Sequence, residues 1–256
     1  MYSSESPGIT VALALLSVPL WLLCSYGLPA NLMLRQRSGP VAADMDGSWF
    51  LWVVGTQSLA TVTAVFAAEP GGEEFAAPAV ALWGIGVLLY LMLATLVTLR
   101  LLTVPSSPDS LNPSYWIYMG ATAITVLAGS TIVVLPGDIP VVRATASVVA
   151  GLTYLLWAFG VWWVPLLVIF GLWRHVVHRV PVRYEAGLWS IVFPLGMYSV
   201  ASTHFGHAAR LPLLVTIGEI DAAVAGFAWL AAAMAMTAAG VGYLRRARAD
   251  SATMGG

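Results

Sequence analysis

The sequence predicts an all-α integral membrane protein, with seven transmembrane helices in hairpin repeats (inner helix, then outer helix) around a central path. Composition is the first ground for this. Of 256 residues, 59% are hydrophobic and 9% charged, against roughly a quarter charged in an ordinary soluble domain. The mean hydropathy is +0.86. So few charges cannot cover a water-facing surface of this size. The second ground is length: seven runs free of Asp, Glu, Lys and Arg reach or approach the roughly 20 residues that a bilayer crossing needs. The third is that the arginines fall almost entirely at alternate ends of those runs.

The runs are Ile9–Leu32, Trp49–Ala67, Ala77–Leu99, Tyr115–Leu135, Ala144–Trp173, Leu188–Thr203 and Ala222–Tyr243. They are continuously apolar, whereas a barrel strand alternates apolar and polar residues. Ahead of the first, Met1–Gly8 carries Glu5 and no basic residue. A signal peptide opens with positive charge, so this run reads as a retained span. The fifth exceeds what a crossing requires and implies tilt or extension past the interface. The sixth is the shortest. Residues 1–246 read as one membrane domain, and residues 247–256 as a disordered cytoplasmic tail.

Arg35 and Arg37 follow the first run, Arg100 the third, Arg174, Arg179 and Arg183 the fifth, and Arg245, Arg246 and Arg248 the seventh. Alternating spans put these nine on one side and only Arg143 and Arg210 on the other. Excess basic residues mark the cytoplasm, which predicts an N-terminus outside and a C-terminus inside a multi-pass cell-membrane protein. The acidic loop of Glu69, Glu73 and Glu74 then falls outside.

The second, fourth and sixth spans repeat a pattern. Each opens on an aromatic anchor (Trp49, Tyr115-Trp116, Trp189), and the three tryptophans recur at intervals of 67 and 73 residues. Each then turns small and polar: Gly55, Thr56, Gln57, Ser58 and Thr61; Gly120, Thr122, Thr125 and Gly129; Gly196, Ser199, Ser202 and Thr203. The first, third and fifth are bulkier. Polar side chains in hydrocarbon need partners or water, so the small-polar spans are expected to face a central path and the others lipid. Such repeats are common in transporters. The first span is then an outer helix without an inner one before it.

Several residues have two readings. Thr56, Gln57, Ser58, Thr61, Thr122 and Thr125 carry hydroxyl or amide donors for a passing anion, or serve as helix–helix hydrogen bonds worth about 0.6 kcal/mol on average. On the sixth span Phe193, Gly196, Ser199/Val200 and Thr203 share a face. A lone aromatic on a small face either plugs a narrow apolar path or packs against a neighbour. Pro194 and Pro165 kink their helices; Pro194 either aims Phe193 or is simply tolerated. Glu219 and Asp221 are expected at the hydrated edge of the seventh span. His175/His178 and His204/His207 have helical spacing that suits a metal, but each pair lies at an interface with no Cys or acid clustered beside it, so no metal is expected.

Other classes fall away. A retinal Schiff base requires a lysine amine, and all 11 basic residues are Arg. No nucleophile–base pair or metal cluster sits at mid-span, so no enzyme chemistry and no cofactor is implied. A net charge of −1 offers no basic field for nucleic acid. Cys24 is alone and forms no internal disulfide.

Four stretches, Met45–Ala60, Asn112–Thr125, Phe159–Glu185 and Leu188–Thr203, resemble the tellurite-resistance/C4-dicarboxylate transporter family, which includes tellurite-resistance permeases, yeast malate and sulfite transporters and plant slow anion channels. The resemblance implies ten helices as five hairpins around a pore, with odd helices inside and trimers among its members. The seven spans resemble the fourth to tenth of these helices, with three N-terminal helices absent. It implies transport of small inorganic or carboxylate anions across the lipid bilayer, Phe193 as the pore gate, Pro194 as its kink, and Thr56, Gln57, Ser58, Thr61, Thr122, Thr125, Gly196 and Ser199 as pore-lining. The alternative is a truncated, transport-incompetent remnant, or an assembly partner needing another chain to complete the pore.

Overall fold

The computed structural model describes residues 7–34 and 45–254, and every regular element among them is helical. Seven rods result. The first is α1 (Pro7–Leu22) continued through a π-helical turn (Leu23–Gly27) into α2 (Leu28–Leu34). Pro29 has no N–H for the carbonyl of Ser25, and the wide turn falls at that point. The others are α3 (Leu51–Ala67), α4 (Ala76–Thr103), α5 (Trp116–Val133), α6 (Pro140–Leu172), α7 (Trp189–Ala208) and α8 (Pro212–Met254). Six rods are long and apolar enough to cross a bilayer. The exception is α7, whose 20 residues include three serines, a threonine and two histidines.

The repeat has a structural counterpart. Each of α3, α5 and α7 is preceded by a 3-10 turn: Gly47–Phe50, Pro113–Tyr115 and Ala186–Leu188. Asp46 caps the first, accepting from Ser48 N at 2.9 Å, and Asn112 caps the second, accepting from Ser114 N at 2.8 Å. Asp46 also accepts from Ser114 Oγ at 3.3 Å, which ties the two turns together. They approach so closely that a Cβ on Gly47 would strike the Ser114 carbonyl.

The rod α5 is the hub. It packs against α3, α4, α6 and α7, while α8 lies on α7 and the first rod on α3. Across its most apolar stretch 83% of the residues are buried, against 6% in the first rod and in α8. Small side chains allow this: Gly129 faces Thr153 and Trp83, and Gly160 of α6 faces Thr122 and Tyr198. At one end an aromatic cluster fills the space around Tyr118, with Phe50 at 4.6 Å and Trp163 at 4.2 Å between ring centroids.

Two boundaries differ from expectation. The last helix begins at Pro212, ten residues before the expected Ala222. Glu219 and Asp221 therefore lie within it rather than at its flank. A charge-free run stops at the first carboxylate, although a helix passing through the interface does not. The same helix continues to Met254, across most of the segment expected to be a disordered tail. Arg35 and Arg37 lie outside the described residues.

Candidate functional site

Of the three repeat rods, α3 and α7 each leave one face uncovered. On α7 it comprises Phe193, Gly196, Val200, His204 and His207, while Thr203 sits in the seam against Gly218 of α8 and donates to the Ser199 carbonyl at 2.9 Å. Phe193 is 37% exposed and Val200 51%, and a Cβ on Gly196 would meet nothing within 4 Å. On α3 the uncovered face is Leu51, Gly55, Ser58, Val62 and Val65. The enclosed α5 has no exposed residue, and only Trp116, Leu127, Thr131 and Val133 are partly accessible.

Phe193 stands where the α7 face meets α5. A Cβ on Gly120 would lie 2.9 Å from Pro194 Cγ, 3.2 Å from Pro194 Cβ and 3.4 Å from Phe193 Cε1. The missing side chain at Gly120 thus admits the Phe-Pro pair against α5. Pro194 is buried in that seam, while Phe193 beside it stays partly exposed.

The proposed lining residues divide into two groups. Thr56 and Gln57 are fully buried on the side of α3 away from Ser58. Trp21 Nε1 donates to Thr56 Oγ1 at 3.0 Å, and Thr56 Oγ1 donates to the Trp52 carbonyl at 2.9 Å. Gln57 Nε2 donates to the Trp83 carbonyl at 3.1 Å across the α3–α4 seam, over Gly86. Thr122 and Thr125 are also fully buried; their hydroxyls donate to Met119 and Ala121 carbonyls, each at 2.6 Å. Ser199 Oγ donates to the Gly218 carbonyl of α8 at 2.7 Å. Within this chain these five are packing groups. Thr61 is half-buried and donates to the Gln57 carbonyl at 2.8 Å. Ser58 and Gly196 lie on the uncovered faces with Phe193.

Other polar contacts were not legible as such. Trp157 Nε1 donates to Ser202 Oγ at 2.8 Å, and Tyr198 OH donates to the Trp157 carbonyl, together fastening α6 to α7. His204 Nδ1 and Ser130 Oγ lie 3.0 Å apart across the α5–α7 seam. Arg100 and Arg174, read from sequence as orientation markers, are buried. Arg100 Nη1 donates to Tyr115 OH at 2.5 Å, and Arg174 Nη1 to the Leu111 carbonyl at 3.3 Å. An arginine just past a span gives no sequence signal of which way it turns. Among the described residues no three His, Cys, Asp or Glu gather as a metal site.

Membrane-length rods around a hub of small residues define a multi-pass membrane protein. The family model for voltage-dependent anion channels, SLAC1, matches residues 3–237, and the chain belongs to this family, whose members are channels and transporters rather than enzymes. It is 51% identical over 148 residues to an uncharacterized membrane protein of Mycobacterium tuberculosis, covering 58% of this chain and 75% of that one. It is 29% identical over 122 residues to an uncharacterized transporter of Methanocaldococcus jannaschii, covering 48% of this chain and 34% of that protein. The aligned region thus spans about a third of the archaeal relative. No solved structure matches.

Proposed function

We propose that the chain passes small anions along the uncovered faces of α3 and α7, on either side of the enclosed α5, with Phe193 as the gate and Pro194 bending α7 so that the ring stands over the path. The observation that carries this is the face of α7, where one partly exposed aromatic ring is followed by Gly196 with open space around it. An apolar ring in a narrow passage gates by excluding water, and on α3 Ser58 adds a hydroxyl to the uncovered surface. From Phe193 to Val200 the α7 face carries no charge, which suits a broad substrate class: dicarboxylate, tellurite, sulfite, or halide and nitrate. The arginine distribution supports an N-terminus outside and a C-terminus inside. The family resemblance supports a trimer.

A second reading rests on the same exposure. Phe193, Val200 and Leu51 are 37%, 51% and 54% accessible, so the chain supplies one wall of a passage that a further chain closes. Proteoliposomes separate the two. If one chain type suffices, wild-type vesicles conduct anions and Phe193→Ala raises the flux several-fold. If the passage is incomplete, both are silent until a second family chain is co-reconstituted. Equal flux through conducting wild-type and Phe193→Ala vesicles rejects the gate.

A further inference from the structure

Where α6 turns back toward α7, the chain encloses a half-open cavity of about 310 Å³ whose lining includes Arg174, His175, Arg183, Tyr184 and Glu185. A π-helical turn over Trp173–Val177 ends the helix. Arg179 then adopts the left-handed backbone region at φ 53, and the reversal brings Arg183 and Glu185 round to the same cavity as Arg174.

We propose that this cavity is a binding site for a phosphate-type oxyanion, separate from the path along α7. The first argument is the state of Arg174. Its side chain is only 11% exposed, and the guanidinium carries five N–H donors. It makes one hydrogen bond, to the Leu111 carbonyl at 3.3 Å, and faces Glu185 Oε1 at 3.6 Å, beyond direct hydrogen-bond length. Its Nε has no partner among the described residues. A buried cation left this poorly satisfied is costly, and a tetrahedral oxyanion supplies the acceptors that its planar fork matches. Arg100 is equally buried but does not line this cavity; its Nη1 is taken by Tyr115.

Charge is the second argument. Two guanidinium groups face one carboxylate, so the cavity is net positive before His175 is counted. His175 Nδ1 lies 2.9 Å from the Val180 carbonyl, which holds the ring at the cavity wall. The third is place. The cavity sits at the arginine-rich end, where basic pockets between membrane helices meet anionic headgroups. Its volume matches the lower bound of about 300 Å³ for small-molecule sites. The shared chemistry is a phosphate, either free in solution or esterified in a lipid headgroup.

The test uses the purified full chain in nanodiscs and reads binding, not flux, so a failure of anion transport leaves it intact. One arm titrates inorganic phosphate by equilibrium dialysis into phosphatidylcholine nanodiscs. The other measures retention of phosphatidylglycerol by native mass spectrometry. Binding in the first arm identifies a soluble oxyanion, and in the second a lipid phosphate; either supports the site. Arg183→Gln, on an exposed residue, is expected to weaken binding roughly fivefold, while Glu185→Gln tightens it by removing the competing carboxylate. Arg174→Gln abolishes it, but because that variant risks misfolding, the other two decide. Binding of neither probe overturns the proposal. So do affinities unchanged by both substitutions, or shifted by both in the same direction.

Discussion

The hub α5 and the flanking α8 are both long apolar helices, yet they occupy opposite environments. Across their most apolar stretches, 83% of the residues are buried in α5 and 6% in α8. In water the more apolar helix would be the buried one. In lipid the tails are as apolar as a leucine side chain, so close packing and satisfied polar groups decide who is inside. The rod α5 brings Gly120, Gly129, Thr122, Thr125 and Ser130, which permit near approach and bond within the helix. The rod α8 presents Leu213, Ile220, Phe227, Trp229 and Leu230 outward.

Adding volume gives the strongest contrast between these environments. Gly160 of α6 faces Thr122 and Tyr198 at the hub, whereas a Cβ on Gly226 of α8 would meet nothing within 4 Å. Gly160→Val is expected to destabilise by up to about 3 kcal/mol through overpacking, and Gly226→Val to leave stability unchanged or slightly raised. Unfolding in mixed micelles measures both, and equal losses would erase the distinction between hub and flank. A smaller effect is expected from Trp157→Phe, which removes the donor to Ser202; the loss should fall at roughly 0.6 to 1.7 kcal/mol by the same assay.

Gln57→Leu should cost less still. One hydrogen bond to Trp83 is lost, but a buried Oε1 that has no partner is removed with it. A change within about 0.5 kcal/mol and an unaltered anion preference are expected, and a changed preference would return Gln57 to the path. Smallest of all, Phe227→Ala on the exposed side of α8 should shift stability by less than about 0.5 kcal/mol. A larger loss would show that this face meets protein.

The number of rods and their order were legible because each depends on composition over a whole segment. Part of the α7 face was also legible, since Phe193, Gly196 and Val200 recur at helical spacing, whereas Thr203 turns to α8. Which polar residues turn inward was not. Thr56, Gln57 and Ser58 form a polar set in sequence, but neighbours on a helix stand about 100° apart and cannot share one face. The structure gives Thr56 to the first rod, Gln57 to α4 and Ser58 to the uncovered side. Ser199 and Val200 divide in the same way. The early start of α8 was hidden by Glu219 and Asp221, and the Arg174 cavity exists only once the chain has turned back on itself.

Thiol labelling tests most directly whether the uncovered face of α7 meets water. Cys24 is replaced by Ser to give a cysteine-free chain, and single cysteines are placed at Gly196, at Thr125 inside the hub, and at Leu155 on the outer side of α6. In sealed vesicles a membrane-impermeant thiol reagent should modify position 196 and spare 125 and 155, with 155 reacting only with a lipid-soluble reagent. Position 196 silent to the aqueous reagent but open to the lipid-soluble one would place that face in the acyl chains and contradict an anion path beside Phe193.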